Sequence, residues 1–250
     1  MKFEHPQGEH IPGLKHLWKA SFGDEEAFID RFFAVAFAPE RCICLTEAGA
    51  VLAAAYWFDV AFSEKKAAYI YAVATLPECR GKGLCRRLMD HIHSHLAANG
   101  YAGAMLVPGD GGLREMYSKM DYVNFGGMEE FACVAENHPL DIREIPPEEY
   151  AALRRAYLPA GGVAQEGENL RFLRQFYRFY RGDGCIFAAA STGCELFAAE
   201  LLGCRDAAGA ILSALKMPSG VFRVPGTDPF AMYRRLDGGE RPGYFAFAFD

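Results

Sequence analysis

The chain has 250 residues, of which 51% are hydrophobic, 14% aromatic and 23% charged. This composition argues against a disordered chain, and the absence of an apolar run near the roughly 20 residues that span a bilayer argues against a membrane protein. The formal net charge of −6 argues against a nucleic-acid partner, because phosphates select a basic surface.

The first half of the chain alternates strand and helix patterns. Charges and Pro6 stand where a signal peptide would have an apolar core, so we expect a cytoplasmic protein. The patterns predict, in order, a strand (2–5), two amphipathic helices (11–18 and 28–37), a hairpin (41–46 and 51–58), a strand (69–75), a long helix after Gly83 and a strand (103–107).

The long helix begins at a glycine-rich basic turn, Arg80-Gly81-Lys82-Gly83-Leu84-Cys85. Two glycines let the backbone bend sharply, and the first N–H groups of a helix have no carbonyl partner. The helix dipole adds to the charges of Arg80, Lys82, Arg86 and Arg87. This stretch therefore predicts an anion-binding turn, most simply for a pyrophosphate. The alternative is an ordinary glycine turn before a solvated basic helix start.

The stretch from Val73 to Leu84, VATLPECRGKGL, resembles the acyl-CoA signature of the GCN5-related N-acetyltransferases (GNAT), in which Arg/Gln-x-x-Gly-x-Gly/Ala follows a strand and opens a helix. The resemblance implies acetyl-CoA as co-substrate. It implies that the strands over 69–76 and 103–107 splay apart to expose backbone to the pantetheine arm. The residues that the resemblance assigns to the cofactor are Val73, Ala74, Thr75, Arg80, Gly81, Lys82, Gly83, Leu84, Cys85 and Arg86.

The stretch from Leu113 to Tyr122 resembles the short helix and turn that carry the family's general acid, which falls on Tyr117. A phenol keeps its proton at neutral pH and could protonate a leaving thiolate. The alternative is that Tyr117 only packs beneath the sheet. Asp121 stands where the family usually has glycine, and aspartate tolerates the left-handed backbone better than most residues. Cys85 could have a lowered pKa at the helix start, but we favour a packing role.

Cysteine and histidine patterns do not predict a metal cofactor. The eight cysteines are scattered without Cys-x-x-Cys pairs, so we expect buried reduced thiols. His91, His93 and His95 alternate along the predicted helix, where only the first and last share a face.

The second half repeats the order of the first without a glycine turn. A strand-like run over 124–135 is followed by a boundary at Glu136–Pro139. The later patterns predict strands (140–145, 185–190, 195–202, 210–216, 221–224 and 244–249) and helices (from Pro147, over 170–180 and over 229–236). This order looks like a degenerate second GNAT unit. The arrangement is loosely similar to the tandem enhanced-intracellular-survival (Eis) group of aminoglycoside-modifying enzymes.

We therefore expect an α/β (α+β) fold of GNAT type, with a mixed central sheet flanked by helices. The expected domains are 1–136, a catalytic acyl-CoA-binding domain, and 137–250, a smaller degenerate GNAT-like domain. The oligomeric state is left open, with a homo-oligomer as one option.

The expected function is transfer of an acetyl group from acetyl-CoA to an amine of a small molecule or peptide by direct attack. The general base is missing, because Tyr69, Tyr71 and Ala72 occupy the strand positions where a carboxylate is expected. In the Eis group the terminal carboxylate can serve, which points to Asp250, with a frayed solvent-exposed end as the alternative. The alternative function is a non-catalytic acyl-CoA-binding regulatory or interaction protein.

Overall fold

The computed structural model describes residues 1–249, and its first half follows the predicted order of elements. The elements are β1 (Lys2–Glu4), α1 (Ile11–Phe22), α2 (Glu26–Val35), β2 (Cys42–Glu47), β3 (Ala50–Phe62), β4 (Lys65–Thr75), α3 (Leu84–Ala98), β5 (Gly103–Leu106), α4 (Gly111–Ser118) and β6 (Val123–Val134). Helix α3 ends at Ala98 and is followed by Asn99 and Gly100; the φ of Gly100 is +75°, the left-handed conformation that ends many helices. No helix in this described range is long and apolar enough to cross a bilayer.

The second half confirms some of the predicted elements and corrects others. Its elements are β7 (Ile142–Ile145), α5 (Pro147–Tyr157), α6 (Glu168–Leu173), β8 (Arg178–Gly182), β9 (Cys185–Thr192), β10 (Glu195–Gly203), α7 (Ala208–Ala214), β11 (Ser219–Pro225) and β12 (Asp228–Arg235). The proline-led helix and the β9–β10 hairpin are confirmed. The helix predicted over 170–180 is too long, because it ends at Leu173 and the chain then enters β8.

Two predicted elements have the wrong type. The strand predicted over 210–216 is helix α7, which buries Ala208, Ile211 and Leu212 at the three- and four-residue spacing of a helix. The helix predicted over 229–236 is strand β12, which pairs with β5 on one side and β6 on the other. Its alanine, methionine and arginines favour a helix, but pairing on two sides overrides that local preference.

The strand predicted over 244–249 is also wrong. The chain is extended there, but it makes one isolated bridge, between Tyr244 and Gly162, and joins no strand of the sheet. Residues 244–248 are buried in the core. We call residues 244–249 the tail.

All 12 strands in the described range form one sheet, in the order β1-β2-β3-β4-β5-β12-β6-β11-β10-β9-β8-β7. Strand β4 pairs in parallel with β5, and β10 pairs in parallel with β11. Along the sheet, the strands of the second half therefore repeat the order of the first half in reverse. Each half also contributes one strand to the part of the sheet formed by the other half. The second half supplies β12 beside β5, while the first half supplies β6 beside β11. The division at residue 136 stays a prediction, and the sheet is continuous across it.

The sheet is covered on both faces. Helices α1, α2, α5 and α6 and the tail pack on one face of the sheet in a shared aromatic core. On the opposite face, α3 covers the first half and α7 covers the second. Because the tail lies in the shared core, it brings residues from the end of the chain beside strand β4.

Candidate active site

Strands β4 and β5 separate after a short parallel pairing. The pairs are Ala67 with Gly103, Ala68 with Ala104 and Tyr69 with Met105, while β4 continues to Thr75. The splay expected from the family resemblance is therefore present. The register of β4 against β3 also shifts next to Ala72, whose φ is +50°. Such a bulge bends the strand and re-aims its side chains, as bulges next to functional sites commonly do.

A cavity of about 430 Å³ occupies the space between the two strands. We call it the strand cavity. Residues 69–73 of β4 form one wall, and residues 106–109, from the last residue of β5 onward, form the other. Trp18, Asp24 and Tyr117 also line it, together with Phe249 of the tail. The cavity therefore collects side chains from both halves of the chain.

The glycine turn lies between the end of β4 and the start of α3. Gly81 and Gly83 have φ values of +74° and +73°, and a side chain added at either would meet no atom within 4 Å. Gly83 caps α3 without a side-chain hydrogen bond. Within residues 1–249, the backbone N–H groups from Gly81 to Arg86 have no acceptor. The turn thus presents exposed donors at the positive end of a helix dipole, as an anion-binding site requires.

Three cations of this region hold the turn in shape. Arg80 Nε donates to the carbonyl of Thr75 at 3.1 Å, and Lys82 Nζ donates to the carbonyl of Glu78 at 3.0 Å. Arg86 donates to the carbonyl of Lys119 at 3.1 Å, which links α3 to the end of α4. All three side chains stay exposed and can still attract an anion.

The other predicted cofactor residues divide between the cavity and the core. Val73 lines the strand cavity, whereas Ala74 is buried in the shared core and pairs with Ala54 of β3. Leu84 is buried under α3 and anchors the helix start. Burial raises the pKa of the Cys85 thiol, which agrees with a packing role rather than a reactive one.

Tyr117 lies on α4 and lines the strand cavity. The helix begins because the Asp110 carboxylate accepts a hydrogen bond from the N–H of Leu113 at 2.7 Å, and it ends in a turn where Asp121 has a φ of +64°. The expectation that Asp121 takes the left-handed backbone is confirmed. Burial, together with the nearby Cys85, raises the pKa of the Tyr117 hydroxyl. Tyr117 therefore keeps its proton at neutral pH and faces the cavity as a donor.

A buried polar chain lies behind Tyr117. The ring of Tyr117 packs edge-on against Tyr122 at 5.6 Å, and Tyr122 Oη lies 2.8 Å from His93 Nε2. Arg234 of β12 donates to His93 Nδ1 at 2.7 Å. Burial, together with the positive charge of Arg234, lowers the pKa of His93 to about 3, so the ring is neutral. Because Arg234 can only donate, the proton of His93 lies on Nε2 and is donated to Tyr122.

Asp24 is a carboxylate of the site that the sequence analysis missed. It follows Gly23, which ends α1 with a φ of +77°, and it lines the strand cavity. The indole N–H of Trp18 donates to Asp24 Oδ2 at 2.7 Å. Oδ1 has no partner in the described part of the chain. The only sequence signal was an acidic residue in the loop between the first two helices, which is also a common surface pattern.

The tail brings an aromatic ring to the site. Phe249 lies 4.9 Å from Tyr71 and stacks on Tyr69 at 6.1 Å, both measured between ring centroids. The backbone of the tail crosses Gly126, where an added side chain would meet the carbonyl of Phe245 at 2.4 Å. The predicted base Asp250 lies outside the described residues, so its role stays a prediction.

The remaining histidines of α3 contact rings of the first strand and its loop. His91 stacks on Phe3 at 4.7 Å, and His95 packs edge-on against His5 at 4.9 Å. Within residues 1–249 no group of three histidine, cysteine or acidic residues is placed to hold a metal ion.

Comparison with known proteins agrees with this architecture. Residues 2–124 match the family model described as an acetyltransferase (GNAT) domain. The first half of the chain is a GNAT domain. None of the curated proteins compared matches the chain.

Solved structures resemble almost the whole chain, at low sequence identity. A GCN5-related N-acetyltransferase from Kribbella flavida superposes with a TM-score of 0.73 and 17% identity, covering 94% of this chain and 71% of its own. Another from Anabaena variabilis gives 0.72 and 15%, covering 94% and 72%. Eis1 from Mycobacterium abscessus gives 0.69 and 14%, covering 95% and 74%. These likenesses show that the GNAT-type fold extends through the second half of the chain.

Proposed function

We propose that this protein transfers an acetyl group from acetyl-CoA to an amine by direct attack in a ternary complex. The observation that carries the proposal is the strand cavity, because one cavity is lined by the opened β4, an Asp24 oxygen without a partner and the hydroxyl-bearing Tyr117. Direct acyl transfer needs these components in one place: a surface for the thioester, a group that takes a proton and a group that gives one.

The residues divide the chemistry between them. The N–H groups of the glycine turn hold the pyrophosphate, and Val73 lies along the pantetheine arm. Asp24 attracts the protonated amine and takes the first of the two protons that the nitrogen loses, which leaves a neutral amine. The amine nitrogen then bonds to the acetyl carbon as the carbon–sulfur bond breaks. Tyr117 donates its proton to the departing sulfur, and its raised pKa ensures that this proton is present at neutral pH. The second proton of the nitrogen then passes to the Tyr117 oxygen, which restores the hydroxyl.

The test is calorimetric titration with acetyl-CoA, followed by an assay of thiol release with a panel of amines. The double variant Arg80→Glu, Gly83→Glu should lose acetyl-CoA binding, because two carboxylates replace a cation and fill the open turn. The matched control is Gly193→Glu, since Gly193 is also an exposed glycine with a positive φ, +62°, but lies in the β9–β10 hairpin. Binding lost in both variants, or in neither, would contradict the assignment of the turn. Binding without thiol release from any amine would favour the regulatory alternative.

A further inference from the structure

A second cavity of about 310 Å³ adjoins the strand cavity. We call it the aromatic cavity. Its lining consists of Asp24, Phe28, Tyr71, Phe176, Tyr177 and Phe249. Five of these six side chains are aromatic, and they come from α2, β4, the turn after α6 and the tail. The second half of the chain thus contributes directly to this part of the site.

The two cavities share Asp24, Tyr71 and Phe249 as lining residues. A molecule bound at Asp24 is therefore in reach of both spaces. Its nitrogen can face Tyr117 across the strand cavity, while the rest of the molecule extends into the aromatic cavity. This placement separates the reacting atom from the group that gives the molecule its affinity.

The chemistry of the aromatic cavity selects an apolar body. The ring centroids of Phe28 and Phe176 lie 5.5 Å apart, and the ring centroid of Phe28 lies 5.9 Å from that of Phe172 behind it. Such rings favour apolar and aromatic groups, and their faces also attract a nearby cation. Asp24 is the one charged side chain among the described residues that line either cavity. A ligand with several charges or many hydroxyl groups would leave most of them without partners, which is costly in a desolvated site.

We propose that the acceptor is a primary amine with a single positive charge and one aromatic or similarly compact apolar group, held in the aromatic cavity. The inference rests on the proposed function, because it assigns the acceptor of the same reaction. Phe28 and Phe176 are its specificity-determining residues. The volume suits one ring on a short chain, at the small end of ligand sites.

The test compares kcat/KM for phenylethylamine, ethylamine, spermidine and kanamycin by thiol release. Phenylethylamine should be the best substrate. The variant Phe176→Ala should lower kcat/KM for phenylethylamine by about tenfold or more, because truncation removes buried apolar contact. It should change the value for ethylamine by less than about threefold, because ethylamine does not reach the ring. The control is Phe131→Ala, since Phe131 is similarly half-buried but packs on Phe222 in the second half.

Two outcomes overturn the inference: a preference for spermidine or kanamycin, or an equal loss with both monoamines in Phe176→Ala. Calorimetric binding of phenylethylamine gives a readout that does not need turnover. Binding that is weakened by Phe176→Ala but not by Phe131→Ala supports the cavity assignment. If such binding occurs without thiol release from any amine, the proposed function fails while the amine site stands. No binding of phenylethylamine to the folded protein overturns the amine site.

Discussion

The two parallel strand pairs, β4 with β5 and β10 with β11, share a backbone plan and differ in what fills the space beside it. In both, the parallel pairing is short, with three residue pairs between β4 and β5 and four between β10 and β11. In both, the first strand carries a bulge, next to Ala72 in β4 and at Ala199 in β10. The bulge of β4 leads into the strand cavity. The bulge of β10 precedes Glu200, which is fully buried.

A polar cluster surrounds Glu200. Arg154 of α5 makes a two-point contact with the Glu200 carboxylate, at 2.7 and 2.8 Å. Tyr150 and Tyr244 donate to the same carboxylate at 2.9 and 3.2 Å. The side chains of this cluster occupy the shared core beside β10. The side chains beside β10 therefore fill the core and stabilise the fold, whereas the corresponding strand of the first half faces a cavity.

The loops that follow the two strands differ in length as well. Residues 76–83 separate β4 from α3, while residues 204–207 separate β10 from α7. The shorter loop has neither glycine of the anion-binding turn, and α7 has seven residues where α3 has 15. The backbone plan of a sheet is thus retained, while a few side chains and a short loop decide whether an open cavity and exposed backbone N–H groups lie beside it.

The largest effect is expected from Arg154→Met, which tests the structural role of the second half. Removing Arg154 leaves Glu200 as a buried charge without its cation, so we expect a loss of about 3–5 kcal/mol in the free energy of unfolding. Urea denaturation measures it. The control Arg155→Met removes the exposed neighbour that pairs with Glu166 and should cost less than about 1 kcal/mol. The double variant Arg154→Met, Glu200→Leu should regain most of the stability. Unchanged stability in Arg154→Met would contradict the contrast between the halves.

Tyr117→Phe tests the chemical role of the first half. We expect kcat to fall by about 10²–10⁴-fold, because the proton donor to sulfur is lost, while the affinity for acetyl-CoA is unchanged. Steady-state thiol release and calorimetry measure the two quantities. The control Tyr180→Phe alters a half-buried tyrosine that stacks on Phe187 in the second half and should leave kcat unchanged. Full activity in Tyr117→Phe would show that Tyr117 only packs beneath the sheet and does not donate the proton.

Asp24→Asn tests the carboxylate that the two cavities share. We expect kcat/KM for the amine to fall by about 10–100-fold, because a charge-assisted hydrogen bond to the ammonium is lost. Asparagine can still accept the indole N–H of Trp18, so the loop should keep its shape. The control Asp30→Asn removes an exposed carboxylate of α2 that pairs with Lys15. An equal effect of the two variants would indicate that general surface charge, and not Asp24, attracts the amine.

Much of the first half could be predicted because its signals are local. The turn needs Gly81 and Gly83 at positive φ, and its helix needs a regular apolar stripe, both of which are visible in the sequence. The left-handed Asp121 could be predicted from the tolerance of aspartate for that conformation.

The errors in β12 and the tail lie where distant parts of the chain decide the structure. Strand β12 is fixed by pairing with β5 and β6, which are about 100 residues earlier, and the tail is fixed by burial on the shared face. Asp24 and Phe176 belong to the site only because loops from both halves meet there. No local pattern carries that information, since the loops obtain their positions from the sheet.

The pH dependence of stability tests the contact between the halves that the exchanged strand provides, His93 of α3 with Arg234 of β12. The pKa of His93 is about 3 in the folded protein and about 6.5 when unfolded. Between these values the unfolded chain binds a proton that the folded one does not, so stability is full above about pH 6.5 and falls as the pH decreases. We expect the titration of His93 alone to lower the free energy of unfolding by about 1.5 kcal/mol between pH 6.5 and pH 5.

Urea denaturation of wild type and of His93→Gln at both pH values measures this contribution. Each protein loses unfolding free energy between the two pH values, and the difference between the two losses is the contribution of His93, because the other titrating groups are common to both. His138→Gln, which removes an exposed histidine, should lose as much as wild type. Arg234→Gln should make the loss smaller than in wild type, because without the adjacent cation the pKa of His93 rises toward its unfolded value. An unchanged loss in both His93→Gln and Arg234→Gln would show that His93 is not held neutral, and that the strand exchange does not position it.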